Sequence, residues 1–176
     1  MTKNLLQLSI LTAVLSVGNA AFAASATANV AVSATVSKTC SITATPLAFG
    51  DYDPIGVNAT ADKTGTGSVT VACAKGASSL TIGMSDGAHV SGTQRQMEGP
   101  TTTDLLSYNL FQPSSTVPGA ACPGTIPWTA TGAGLMALSV APSKAARTYN
   151  VCGTIPQGQD ASAGVYNDIV VATVNF

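Results

Sequence analysis

The sequence predicts an all-β domain, a sandwich or barrel of seven or eight short strands, and three observations carry that reading. Apolar residues recur at a period of two in run after run, which places them on one face of a pleated strand. Turn-forming Gly, Pro, Asn and Asp clusters separate the runs at short, regular spacing. Helical periodicity is weak everywhere beyond the first 23 residues.

Those first residues have a different character. Lys3 precedes an apolar run through Leu5, Leu6, Leu8, Ile10, Leu11, Val14, Leu15 and Val17, which ends at Ala21-Phe22-Ala23. A basic start, an apolar middle and a small-x-small end define a cleavable secretory signal peptide over residues 1–23. Asn4, Gln7, Ser9 and Asn19 interrupt the run too often for the roughly 20 apolar residues of a bilayer span. Removing 23 of the 176 residues leaves 153, the size of one domain with a real core.

The strands then follow in order. Ala26, Ala28, Val30, Val32, Ala34 and Val36 alternate with small or polar residues, the clearest alternation in the chain. Val69, Val71 and Cys73 form the next set, then Leu80, Ile82 and Met84, then Leu106, Tyr108 and Leu110. Met136, Leu138 and Val140 follow, then Tyr149, Val151 and Ile155. The last run, residues 166–176, sets Val170, Ala172, Val174 and Phe176 on one face. The breaks read as turns: Tyr52-Asp53-Pro54, Gly65-Thr66-Gly67, Ser85-Asp86-Gly87, Gly99-Pro100 and Gln157-Gly158-Gln159-Asp160. Residues 112–134, rich in Pro, Gly, Ser and Thr, read as a long loop pinned by Cys122. The first strand carries no charge before Lys38. An exposed, uncharged strand invites aggregation unless it has a partner, so residues 26–36 pair either within the fold or with another chain.

Composition narrows the function. Charged residues are 9% of the chain, far below the usual quarter. Without Lys3 there remain six basic against eight acidic residues, which is no electrostatic footprint for nucleic acid. Cys40, Cys73, Cys122 and Cys152 all follow the signal peptide, in a compartment that permits disulfides, and four cysteines allow three pairings. No C-x-x-C suggests zinc or redox chemistry. His89 is the single histidine; Asp86 near it completes no nucleophile elbow, and a solvated loop histidine is the better reading. Asp51 and Asp53 supply too few oxygens for a calcium loop. Gly65-Thr66-Gly67 lacks the strand–turn–helix setting of a nucleotide fingerprint and reads as a hairpin turn. Asn58-Ala59-Thr60 matches a glycosylation sequon of the kind common by chance, and Trp128 reads as a core or loop anchor rather than a sugar platform. The expectation is a structural protein without catalytic residues, metal or cofactor.

Several segments, in order, resemble one family. They are Lys38-Thr39-Cys40, Phe49-Gly50-Asp51-Tyr52, Val69-Thr70-Val71-Ala72-Cys73, Gly83-Met84-Ser85-Asp86-Gly87, Arg95-Gln96-Met97 and Leu106-Ser107-Tyr108-Asn109-Leu110-Phe111. The longest match is the end: Tyr149-Asn150-Val151-Cys152-Gly153-Thr154-Ile155-Pro156, Gly164-Val165-Tyr166-Asn167-Asp168, and Val171-Ala172-Thr173-Val174-Asn175-Phe176. Together they resemble the spore coat protein U domain family, which includes the archaic (Csu-type) chaperone–usher pilins of Gram-negative bacteria.

The resemblance implies an immunoglobulin-like β-sandwich lacking its last strand, built by residues 37–176, with an apolar groove beside the C-terminal strand at Val170, Ala172, Val174 and Phe176. It implies that residues 24–36 form a donor strand, with Ala26, Ala28, Val30 and Val32 entering the groove of a neighbouring subunit. A periplasmic chaperone fills the groove first, and an outer-membrane usher oversees the exchange. The product is a head-to-tail surface fibre serving adhesion and biofilm formation. The family pattern pairs Cys40 with Cys73, and therefore Cys122 with Cys152; a second pair is not general in the family. The alternative is a secreted coat or matrix protein of the same fold that completes its own sandwich with residues 26–36.

Overall fold

The computed structural model describes residues 23–176, so the expected signal peptide lies outside the described residues except for its last position. Residues 23–39 belong to no strand, and every alternating position from Ala26 to Val36 is exposed: Val30, Val32 and Val36 are 83%, 89% and 87% exposed. The run with the clearest alternation is therefore not a strand in the lone chain. Its side chains are too small, and its charge-free backbone too short of neighbours, to hold a pleat without a partner.

Nine strands follow: β1 (Cys40–Ala48), β2 (Lys63–Cys73), β3 (Thr81–Met84), β4 (His89–Ser91), β5 (Gln94–Glu98), β6 (Leu105–Phe111), β7 (Met136–Ala137), β8 (Arg147–Ile155) and β9 (Ala172–Asn175). They form a six-stranded sheet in the order β1-β2-β8-β6-β5-β4 and a three-stranded sheet in the order β7-β3-β9, and every pairing is antiparallel. The described residues are all-β apart from two single-turn 3-10 helices. Among them no helix is long and apolar enough to cross a membrane.

The core lies between the sheets. Val69 and Val71 of β2, Tyr149 and Val151 of β8, and Leu106, Tyr108 and Leu110 of β6 point inward against Leu80, Ile82, Met84 and Met136. The period-two runs thus bury the faces that the alternation selects. Trp128 is fully buried and donates Nε1–H to the Ile82 carbonyl at 2.9 Å. It draws the long segment between β6 and β7 across the core, helped by Trp128 N–H to Leu110 O and Met84 N–H to Thr129 O. The Arg95 guanidinium, 5% exposed, donates to the carbonyls of Met84, Ser85 and Trp128 and ties these pieces together. Burial holds its pKa below the usual arginine value.

Disulfides link Cys40 to Cys73 and Cys122 to Cys152, the same pairs that the resemblance implies. Cys40 and Cys73 are opposite residues of β1 and β2, with Cα atoms 4.1 Å apart, the close spacing of a non-hydrogen-bonded antiparallel pair. Cys122 fastens the long segment to β8. Each closes a loop of about thirty residues and contributes roughly 2–4 kcal/mol.

Two further expectations are corrected. The run Met136, Leu138, Val140 does not continue as a strand: β7 ends at Ala137 and Val140 is 55% exposed. Gly65-Thr66-Gly67 is no hairpin turn; it lies inside β2, paired with β8 on one side. The register of β1 slips between Thr45 and Ala48, around Pro46, a residue tolerated there because β1 is a sheet edge. Beyond the bulge, Leu47 and Phe49 turn inward and lie flat across the sheet. A Cβ on Gly67 would stand 2.9 Å from the Leu47 Cβ, and one on Gly153 of β8 would stand 2.7 Å from the Phe49 ring. The glycines are there for close approach, not for turning. The hairpins β4–β5 and the strand β1 carry too few large apolar residues for their alternation to be read from sequence, and residues 166–171 run extended without a continuous ladder.

Gly67→Ala pushes against the Leu47 backbone itself, which cannot swing away. We expect it to cost about 1–3 kcal/mol in urea unfolding while leaving both disulfides unchanged; a cost near zero would show that β1 is not held against β2 in this way.

Candidate functional site

Each sheet stops on the same side of the sandwich, one at β1 and the other at β9, and no ladder joins the two. Between them runs an apolar trough. Residues 44–49 face residues 166–172 across a cavity of about 410 Å³, with Val69, Met84, Leu110 and Val151 beneath. A second cavity of about 700 Å³ continues it between residues 47–54 and 161–167, sharing Leu47, Phe49, Met97 and Tyr166. As the chain advances from 161 to 172 its neighbours run backward from 54 to 44, so the C-terminal segment is antiparallel to β1.

The backbone at both rims is free toward the trough. Ser85 N–H donates to Val171 O at 2.9 Å, and Ala74 N–H donates to Thr39 O at 2.9 Å. In an antiparallel ladder hydrogen-bonding direction alternates residue by residue. Val170, Ala172 and Val174 on one rim, and Ile42 and Ala44 on the other, therefore turn their N–H and C=O groups away from their own sheets and into the gap. Val170, Ala172, Val174 and Ile42 also send half-buried side chains toward the core. Phe176, expected on the same face, is 51% exposed because the ladder ends at Asn175.

Asp168 holds the trough open at its middle. Its Oδ1 accepts Ala88 N–H at 2.8 Å and Ile169 N–H at 2.8 Å, and its Oδ2 accepts the Tyr108 hydroxyl at 2.6 Å. The Tyr108 ring packs edge-on to Phe49, with centroids 6.2 Å apart. Phe49, Tyr108 and Asp168 thus span from the β1 rim to the C-terminal rim. Burial first, and the bond to the Asp168 carboxylate second, raise the Tyr108 phenol well above an ordinary tyrosine; burial raises Tyr149 too. In the sequence Tyr108 stands in a strand run and Asp168 in a family segment, and nothing in their local pattern marks them as partners 60 residues apart.

The remaining candidates resolve without chemistry. His89 Nε2 lies 3.5 Å from Glu98, while Asp86 faces Arg95 at 3.8 Å, so Asp86 does not orient the histidine. Asp53 Oδ1 accepts Ile55 and Gly56 N–H and closes a turn. Asn58 of the sequon is buried; its Nδ2 donates to Ala61 O and its Oδ1 accepts Asp53 N–H, which leaves no accessible carboxamide for a glycan. Among the described residues no three His, Cys, Asp or Glu side chains gather where they could hold a metal ion.

The fold and its trough define a class: an immunoglobulin-like sandwich left open between its first and last strands. The sequence profile of the Spore Coat Protein U domain matches residues 26–173, and the chain belongs to that family. "Protein U" of Myxococcus xanthus is 36% identical over 166 residues, spanning 88% of this chain and 87% of that protein. Among solved structures, a chain from the CsuC–CsuE chaperone–tip adhesion subunit pre-assembly complex of the archaic chaperone–usher Csu pili of Acinetobacter baumannii superimposes with a TM-score of 0.54 at 22% identity. The match covers 81% of this chain and 41% of that one, so this chain spans less than half its length and the likeness is one of fold.

A tyrosine whose pKa rises on folding contributes stability below its unfolded pKa of about 10 and loses it as pH climbs toward the raised value. Stability should therefore fall above pH about 10, and fall less steeply in Tyr108→Phe. Urea midpoints measured across that range test it; parallel curves for the two proteins would contradict the Tyr108–Asp168 assignment.

Proposed function

We propose that this chain is a structural, non-enzymatic subunit of a surface pilus assembled by the chaperone–usher route through donor-strand complementation. Residues 1–23 direct export and are removed. Residues 24–36 are the strand each subunit lends, and residues 37–176 form the domain that receives one. A periplasmic chaperone shields the trough first, an outer-membrane usher oversees the exchange, and neighbouring subunits build a head-to-tail fibre at the cell surface that serves adhesion and biofilm formation.

The observation that carries this reading is a match of opposites within one chain. The trough has inward apolar side chains and free backbone on both rims, and lacks a strand. Residues 24–36 have alternating apolar side chains and free backbone, and lack a sheet. An inserted strand gains main-chain hydrogen bonds along its length and pockets for alternate side chains. Val30 and Val32 contribute most, about 1.5–3 kcal/mol each when fully buried, while Ala26 and Ala28 fit shallower positions. A one-residue slip would turn that set outward. The contact is heterologous and does not close, so it grows into a fibre.

The kinship with protein U supports a second reading, a secreted coat or matrix protein that completes its own sandwich. It requires residues 26–36 to pair within the chain, and in the structure they form no strand.

Deleting residues 24–32 should abolish fibres while the truncated protein still binds its chaperone. Val30→Asp or Val32→Asp should do the same in a full-length chain. Electron microscopy of sheared surface material and chaperone pull-down are the readouts; normal fibres from the deletion would refute the proposal, and a stable full-length monomer purified without chaperone would favour the second reading.

A further inference from the structure

The exposed charges of this domain are sorted along the strand direction. At one end β1 begins, β2 ends and β8 begins, with Cys40 opposite Cys73 and Val71 opposite Arg147. Lys38, Lys75 and Lys144 adjoin these three termini, and all are exposed. At the other end β1 ends, β2 begins and β8 ends, with Ala48 opposite Thr66 and Lys63 opposite Ile155. Around it stand Asp51, Asp53, Asp62, Glu98, Asp104 and Asp160, with Lys63 as the one lysine among them and His89 beside Glu98. The other two carboxylates, Asp86 and Asp168, face Arg95 and Tyr108 between the ends. Among the described residues none of the three lysines is ion-paired.

We propose that these poles are the two faces of the subunit–subunit contact: Lys38, Lys75 and Lys144 of one copy dock on Asp51, Asp62 and Asp160 of the next. The inference rests on the strand-lending reading and deepens it. The lent strand leaves its own domain at Lys38, so the donor presents its basic pole to whichever end of the trough the strand emerges from. Backbone hydrogen bonding does not choose that end, because a strand between antiparallel rims runs parallel to one and antiparallel to the other. Charge does choose. Emergence beside Cys40 would set three lysines against three lysines. Emergence beside Phe49 and Tyr52 sets them against the acidic pole, and the inserted strand then runs antiparallel to β9. Only residues 37–39 separate the strand from Cys40, a span of about 10 Å, which is comparable to the Debye length of about 10 Å in 0.1 M salt. The poles therefore act on one another during docking. In a chain with so few charges, this pattern supplies the orienting field that the uncharged donor strand cannot.

The test is the rate at which the full-length mature chain polymerises after release from its chaperone. Between about 0.01 M and about 1 M salt, where the Debye length shrinks from about 30 Å to about 3 Å, the rate should fall roughly tenfold or more. Lys75→Glu with Lys144→Glu should slow assembly at low salt and reverse the salt dependence. Adding Asp51→Lys and Asp160→Lys to that chain should restore it in part, since two of the three docking positions on each face then carry exchanged charge; none of these four side chains makes a hydrogen bond in the fold. A terminally blocked peptide of residues 24–36 reports strand uptake separately and should enter the trough of every variant alike. A rate indifferent to salt and to charge reversal, with peptide uptake intact, overturns the pole contact alone. Absence of both uptake and fibres in the unaltered chain overturns the strand-lending reading and this inference with it.

Discussion

Everything in this fold turns on an open place between residues 44–49, on the β1 rim, and residues 166–172, on the C-terminal rim. Two sheet edges face each other with their backbone groups unpaired and their inward side chains covered only in part. Main-chain N–H and C=O groups demand partners, and at such an edge only water or another strand can provide them. Water satisfies the backbone but not Ile42, Leu47, Val170, Ala172 and Val174, which remain half-buried. A strand satisfies both at once. Under the proposed function the gap is a demand rather than a defect, matched by an extended, uncharged segment with small apolar residues at alternate positions.

Such a demand is useful only if the gap does not close on itself. The surrounding residues prevent closure. Cys40–Cys73 fastens β1 to β2 at one end, and glycines at 67 and 153 let Leu47 and Phe49 lie flat on the sheet, where they line the trough without closing it. On the opposite rim Asp168 anchors the C-terminal segment to the β4 entry and to Tyr108. Beneath, Trp128 and the buried Arg95 weld β3, the long segment and β5 into one floor. The bulge at Pro46 keeps the free β1 edge irregular, which discourages indiscriminate pairing.

Much of this was legible in the sequence, and the limits have physical causes. Period-two runs at Val69–Val71, Leu80–Met84, Leu106–Leu110 and Tyr149–Val151 located the core because burial of one strand face leaves a local signature. The same rule does not report whether a partner is present: residues 26–36 alternate as clearly as any run, yet form no strand in the lone chain. Gly65-Thr66-Gly67 misled in the other direction, since glycine serves close approach as well as turning, and only the position of Leu47 and Phe49 tells which. The Asp168–Tyr108 bond and the sorting of charges into poles needed the register of the sheet, because residues far apart in the chain meet only through it.

Filling the gap must protect a particular set of backbone amides. Hydrogen–deuterium exchange, read at single amides before and after adding a peptide of residues 24–36 to the domain, asks this directly. The amides of Val170, Ala172 and Val174 on one rim, and of Ile42 and Ala44 on the other, should exchange readily in the open domain and become strongly protected in the complex. Protection elsewhere, with those five amides unchanged, would contradict the claim that the space between β1 and β9 is the place of the missing strand.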